Sequence, residues 1–466
     1  MAAKKTETPK VPLDKVRKAV TKAEVECLVR SLVKIPSHSQ VPTREKEVAE
    51  FLKEFLEHEG IDARLRQVEK DRPNVIASLK GSGGGKSLML NGHTDTVPPY
   101  EMDIPPFTPK VQGGKLFGRG SLDMKSGLAS MAMTLVALDR AKVRLRGDLY
   151  LAAVVGEEEW SEGTEDIVLN GPKADMAIVG EPTDLEIQPS HRGLEWLEAH
   201  FYGKAAHGGQ ADKGVNAISM ASRFVNLLES DLLPRLRSKG SPTMLPPTLN
   251  VGVISGGQQP SSVADHCVVK IDRRWTPEED LQTVFKEIYD LFDALKKSDP
   301  TFKAELKRDT TGMKTMTHVP NFVPPDHRLV RSLSDSAARV LGGPPKVTSF
   351  WGWTDAALMT HFGKMPTVVF GPGGKGAHSR VEYVLTEDLQ KCLQVYAGTA
   401  TDGCGLIWYS PLPLCLFNTI AHGLGNRGCA AADGLLHVGP AGDVLPCSSF
   451  TPGESLGNLL RQGFEE

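Results

Sequence analysis

No uncharged apolar run in this sequence is long enough to cross a bilayer, and the opening MAAKKTETPKVPLDK has no apolar core of the kind a secretory leader needs. A cytoplasmic protein with no membrane partner is therefore expected. Basic residues are not in excess: 54 Lys and Arg face 57 Asp and Glu, for a formal net charge of −3. Beyond the Lys-rich start there is no long basic stripe, so nucleic acid is not an expected partner, whereas a small molecule or short peptide is. No internal repeat is visible. Cysteine is scarce until the chain's last stretch: Cys27, Cys267 and Cys392 are scattered and read as reduced, buried thiols. Cys404, Cys415, Cys429 and Cys447 then crowd together and mark the end of the chain as a unit with its own chemistry.

What is present is a soluble globular composition, 40% apolar and 24% charged over 466 residues, too long for a single ordinary core. After a polar segment at 1–20, helical patterns cover 23–33 and 45–58, the second stopped by Gly60 and presenting a solvated Glu/Lys face. Strands are expected at 74–79 and 87–91 around a glycine-rich turn, at 148–155 and at 176–180, with a helix at 126–139. This alternation predicts a mixed α/β sheet whose ligands gather at strand ends. From 193 to 306 the order changes to β-α-β-β-α-β, the split pattern of a small two-layer, ferredoxin-like domain. The α/β pattern resumes over 307–402, with helices at 327–341 and 386–400 and a strand at 366–370. The reading is thus a catalytic domain in two parts, 21–192 and 307–402, interrupted by a small domain at 193–306 and followed by a tail at 403–466.

Five sequence blocks bring metal-ligand chemistry to those strand ends. NGHTDTVP offers His93, with Asp95 two residues on along extended backbone, able to hold the ring's second nitrogen. GRGSLDMKSG offers Asp123 among glycines, a carboxylate with two oxygens that can bridge two cations. GEEE, at 156–159, follows one strand, and Glu181 in GEPT follows the next; GPGGKGAHSR ends in His378. Two sites, each with one His, one terminal carboxylate and a share of Asp123, would suit Zn²⁺ at the ~3.5–4 Å spacing of two-metal hydrolases. Trp351 and Trp353, beside Thr354 and Asp355, read as core aromatics.

These blocks, in this order and spacing over about 20–402, resemble the M20 metallopeptidase family, the group of acetylornithine deacetylase, succinyl-diaminopimelate desuccinylase and carboxypeptidase G2. The resemblance implies a di-zinc amide hydrolase, with Co²⁺ able to substitute, acting on a small N-acyl amino acid or short peptide. It implies His93, Asp123 and Glu181 as ligands of one metal and His378, Asp123 and Glu158 of the other, with Asp95 orienting His93 and Glu157 as general base. The family has Asp-Glu-Glu where this chain has three glutamates after Gly156, so base and ligand fall on Glu157 and Glu158 or, one residue later, on Glu158 and Glu159. His207 in GKAAHGG matches a histidine that reaches across a homodimer to the developing oxyanion, and Asn250 and Arg274 match positions near the substrate carboxylate. A strand-end amide and a surface salt bridge are the competing readings of those last two.

The tail resembles something else. Cys429 and Cys447, spaced around Gly442 and followed by Leu-Gly-Asn, are similar to the first half of the SPASM module of radical SAM enzymes, whose thiolates hold iron–sulfur clusters. The second cysteine block of that module and the CxxxCxxC motif of its enzymes are absent, so a relic without a stable cluster is expected. The alternative to a hydrolase is a non-hydrolytic peptide-binding or accessory protein of a radical SAM peptide-modification pathway.

Overall fold

The computed structural model of the chain describes residues 13–404 except 242, 313 and 315, together with 437–438, 443–445 and 457–458. It forms two units, Met1–Ile407 and Trp408–Glu466.

In the first unit, three strands are buried at nearly every position rather than at alternate ones, as in a sheet covered on both faces. The sheet is built from β1 (Asp62–Glu69), β2 (Arg72–Leu79) and β3 (Leu88–His93) and, after the small strands β4 (Lys110–Gln112) and β5 (Lys115–Phe117), from β6 (Leu149–Val154), β7 (Met176–Val179) and β8 (Ile187–His191). Later segments complete it: β13 (Asn321–Phe322), β14 (Val347–Phe350) and β15 (Thr367–Val369). The order is β1-β2-β6-β3-β7-β15-β8-β13, with β14 also on β8. Successive side chains of one strand serve opposite cores. Leu88 and Leu90 of β3, and Met176 and Ile178 of β7, join the core made with α1 (Leu13–Ala19), α2 (Lys22–Lys34), α3 (Lys46–His58), α4 (Lys125–Arg140), α9 (Arg328–Leu341) and α11 (Thr386–Cys404). Met89, Ala177 and Val179 join the other, made with α5 (Glu162–Asn170) and α10 (Ala356–His361). β4 and β5 pair with β17 (Tyr383–Leu385) and β16 (Gly374–Lys375) in a separate small sheet.

Residues 193–309 carry a second sheet with its own core. It comprises β9 (Gly193–Tyr202), β10 (Thr248–Gly256), β11 (His266–Trp275) and β12 (Ala304–Asp309), in the order β10-β11-β9-β12. One face packs on α6 (Ala217–Leu227) and α8 (Leu281–Ser298) through Phe201, Phe224 and Phe292. Past α6 the chain stays helical, through a π turn at Leu228–Leu232 into α7 (Leu233–Arg237). The fold is the mixed α/β class expected, with the two-layer α/β insertion.

Three expectations need correction. Cys27 is exposed, because the buried stripe of α2 runs through Val25, Leu28, Val29, Leu32 and Val33 and leaves position 27 outside it. Glu45, at the start of the charged helix, is fully buried against Arg72 at 2.7 Å instead of solvated. Trp351 is 69% exposed while its neighbour Phe350 turns into the core. Trp353 is half-buried and donates to the Val319 carbonyl at 2.9 Å. In the second unit β18 (His437–Val438), β19 (Asp443–Leu445) and β20 (Gly457–Asn458) pair antiparallel. The SPASM-like site, with the side chains of Cys404, Cys415, Cys429 and Cys447, lies outside the described residues. Among the described residues no helix is long and apolar enough to cross a membrane.

Candidate metal centre

β6, β3, β7 and β15 run parallel and adjacent, so their C-terminal ends share one edge. His93 closes β3; Glu157 and Glu158 follow β6; Glu181 follows β7; the loop after β15 leads to His378. Asp123 arrives differently, on the loop before α4. Its approach depends on Gly127, where a Cβ would lie 2.0 Å from the Gly180 carbonyl, so the first turn of α4 rests directly on the segment carrying Glu181.

The two oxygens of Asp123 face two histidines. Oδ1 lies 3.2 Å from His93 Nε2 and Oδ2 lies 3.2 Å from His378 Nε2. Glu181 Oε1 is 3.4 Å from His93 Nε2, and Glu158 Oε2 is 3.0 Å from His378 Nε2. Such separations are the edge lengths of a coordination shell with bonds of about 2.0–2.2 Å. Taking one atom from each side chain, His93, Glu157 and Glu181 gather within 4.8 Å of one another, as do His93, Asp123 and Glu158. Neither grouping is a ligand set the resemblance implies: the first brings in Glu157, and the second puts Glu158 with His93 instead of His378. The Asp123 contacts to both histidines are the better guide to sharing, because they are direct and use separate oxygens.

The electrostatics point to missing positive charge. Burial, then the neighbouring Asp123 carboxylate, pushes Glu181 up to about 8, and burial with the Glu181 charge holds Glu157 well above the ordinary carboxylate value. Burial opposes protonation of His93, yet Glu181 and Asp123 raise its pKa well above the imidazole norm. Hydrogen bonds to Asp123 and Glu158 raise His378 to about 10. Burial opposes ionisation of Asp123, but the two histidines hold it far below the usual range. A buried pocket with more carboxylates than cations, offering His and carboxylate donors in pairs, fits two divalent ions of borderline softness.

Further carboxylates shape this pocket. Asp95 accepts from the amides of Gly156 at 3.0 Å, Glu157 at 3.3 Å and Glu158 at 3.0 Å, and so fixes the glutamate turn. Its backbone carbonyl, at 2.9 Å, is the nearer partner of His93 Nδ1; its carboxylate is 3.6 Å away. Glu159 is drawn off to Arg44, which leaves Glu157 and Glu158 at the site. Glu382, fully buried, accepts from Arg119 at 2.6 Å and from the amides of Gly120, Leu122 and Asp123 at 3.1, 2.9 and 3.1 Å. It holds the Asp123 loop as Asp95 holds the other. Sequence reasoning missed it, and the only signal was a lone acid four residues beyond His378. Asp355, also missed, is buried and accepts from Thr164 Oγ1 at 2.6 Å; burial raises it to about 6, and its charge acts on Glu157.

Three expected residues are not gathered here within one chain. His207 is exposed at the start of a 3-10 turn and accepts from the Gly209 amide at 3.1 Å. Asn250 is exposed on β10, and Arg274 is clasped by Asp272 at 2.6 and 2.9 Å.

Known proteins resemble this chain in sequence and in fold. The profile of Peptidase family M20/M25/M40 matches residues 89–402. An acetylornithine deacetylase of Myxococcus xanthus is 31% identical over 361 residues, covering 75% of this chain and 90% of that protein. An N-formyl-4-amino-5-aminomethyl-2-methylpyrimidine deformylase of Halalkalibacterium halodurans is 29% identical over 381 residues, 77% of this chain and 89% of that protein. Among solved structures, aminopeptidase PepT from Bacillus cereus superposes with a TM-score of 0.70 at 21% identity, covering 83% of this chain and all of that one.

Proposed function

The chain belongs to peptidase family M20/M25/M40, and from that premise we propose that it hydrolyses the amide bond of a small N-acyl amino acid or short peptide at a dinuclear zinc centre. The observation that carries this reading is Asp123, with one oxygen toward His93 and the other toward His378 at 3.2 Å each. His93, Asp123 and Glu181 would hold one ion, and His378, Asp123 and Glu158 the other; Co²⁺ has the donor preferences to replace zinc. When bound, two such ions polarise the scissile carbonyl and acidify a water. Glu157 takes the proton of the attacking water and delivers it to the leaving amine; its buried setting, which raises its affinity for a proton, suits both halves of that task. Asp95 keeps Glu157 and Glu158 in register by holding their amides. The deacetylase and deformylase relatives support an acyl-amide substrate, and a panel of N-acyl amino acids against dipeptides separates deacylase from exopeptidase. We propose a homodimer in which His207 of a second copy faces the developing oxyanion. A non-hydrolytic accessory role is disfavoured, because every ligand and the base are retained together.

Glu157→Gln is expected to cut turnover by roughly 10²–10⁴-fold while metal content stays at the wild-type level. Glu158→Gln should lose metal, read by elemental analysis after dialysis. Metal lost from the first variant and kept by the second would overturn the assignment of base and ligand.

A further inference from the structure

The face of the four-stranded sheet turned away from α6 and α8 carries two histidines on neighbouring strands. His200 of β9 and His266 of β11 are diagonal neighbours, since His266 pairs with Tyr202 and His200 with Val268. Their ring nitrogens, His200 Nδ1 and His266 Nε2, are 3.3 Å apart. In a tetrahedral site with metal–nitrogen bonds of about 2.0–2.1 Å, ligand nitrogens stand about 3.3–3.4 Å from each other.

A chelate needs a lone pair on each of these nitrogens, which exposed His266 supplies as its Nδ1–H tautomer. On its far side His200 Nε2 meets Glu198 Oε2 at 3.1 Å. A carboxylate there keeps the proton on Nε2, which leaves Nδ1 as a lone pair directed at His266. This is the carboxylate–histidine pairing that backs metal-binding imidazoles and fixes their tautomer. Tyr202 restrains both rings: its own ring lies 6.4 Å from His200, stacked, and 5.4 Å from His266, tilted. Glu198 is itself anchored by Lys270 at 2.6 Å. His266 is exposed, so an ion has access from solvent and water can complete its shell.

We propose that His200 and His266 form a further divalent-metal site, separate from the hydrolytic centre, that takes imidazole-preferring ions such as Ni²⁺, Cu²⁺ or Zn²⁺. The ion bridges β9 and β11 and stabilises the small domain by mass action.

The test is equilibrium dialysis of the untagged full-length protein, first given two equivalents of Zn²⁺ to fill the hydrolytic centre, against Ni²⁺. Wild type should bind one equivalent more than His200→Gln or His266→Gln, each made separately so that one misfolded variant does not decide the matter. Glu198→Gln keeps both nitrogens and should bind that equivalent roughly 10-fold more weakly. Circular dichroism melts without added Ni²⁺ check that the variants are folded. Wild-type and folded variant proteins binding the same amount of Ni²⁺ would overturn the proposal. So would Cu²⁺ added below one equivalent to wild type holding two equivalents of Zn²⁺ that shows no imidazole-nitrogen coupling in its paramagnetic resonance spectrum.

Discussion

Asp95 and Glu382 are buried acids that act through backbone amides, and each fixes a loop bearing one or two candidate ligands. Glu382→Gln preserves shape but replaces one acceptor oxygen with a donor facing other donors. Metal affinity should fall by about 10–100-fold, with turnover restored at saturating Zn²⁺. A loss of turnover that zinc does not restore would show that Glu382 does more than position Asp123. A second residue-scale effect lies at His191, fully buried, where burial lowers the pKa to about 4. The unfolded chain protonates this ring near pH 6.5, whereas the folded chain keeps it neutral until about pH 4. Between those values the unfolded state binds the extra proton, so stability falls as pH falls, by up to about 3 kcal/mol in all. Melting temperatures of wild type and His191→Asn between pH 7 and 4 should therefore converge as the pH is lowered; parallel curves would rule the linkage out. The sequence showed the donors at this scale without separating the three glutamates, because adjacent carboxylates are chemically identical; in the fold Arg44 pairs with Glu159.

At the scale of elements, the main-sheet strands that carry ligands were legible because each is a short apolar run ending in a polar motif. β1 was not: its DARLRQVE alternates weakly, since an edge strand buries few positions. β10 is also an edge strand, with Val253 47% and Ile254 51% exposed, a row of apolar groups suited to a second copy. If that copy supplies His207, then His207→Ala and Glu157→Gln chains, each inactive alone, should complement when mixed by reversible dissociation. Random pairing leaves one intact site in half of the dimers, so recovery should reach about a quarter of wild-type activity. Mixed dimers demonstrated by mass spectrometry but without activity would exclude the exchange.

For the molecule as a whole, the core of the first unit ends at Ala400, and α11 runs to Cys404. Every candidate ligand precedes that point. Ending the chain after Cys404 should therefore leave zinc content, melting temperature and hydrolysis as in the full-length protein. Collapse of any of these would show that the tail supports the body. Iron and sulfide after anaerobic reconstitution should be equally low in both forms, and their loss on truncation would restore a cluster to the tail.

The sequence by itself determined the hydrolase family and the class of fold, because strand periodicity and the residue types after each strand are local properties. It also ordered the insertion correctly, since β-α-β-β-α-β is read along the chain. Only tertiary structure decided what depends on distance between remote segments: that Asp123 faces two histidines, that Glu382 reaches back some 260 residues to hold its loop, and that His200 meets His266. Those contacts arise from sheet order and helix packing, which no stretch of sequence encodes alone.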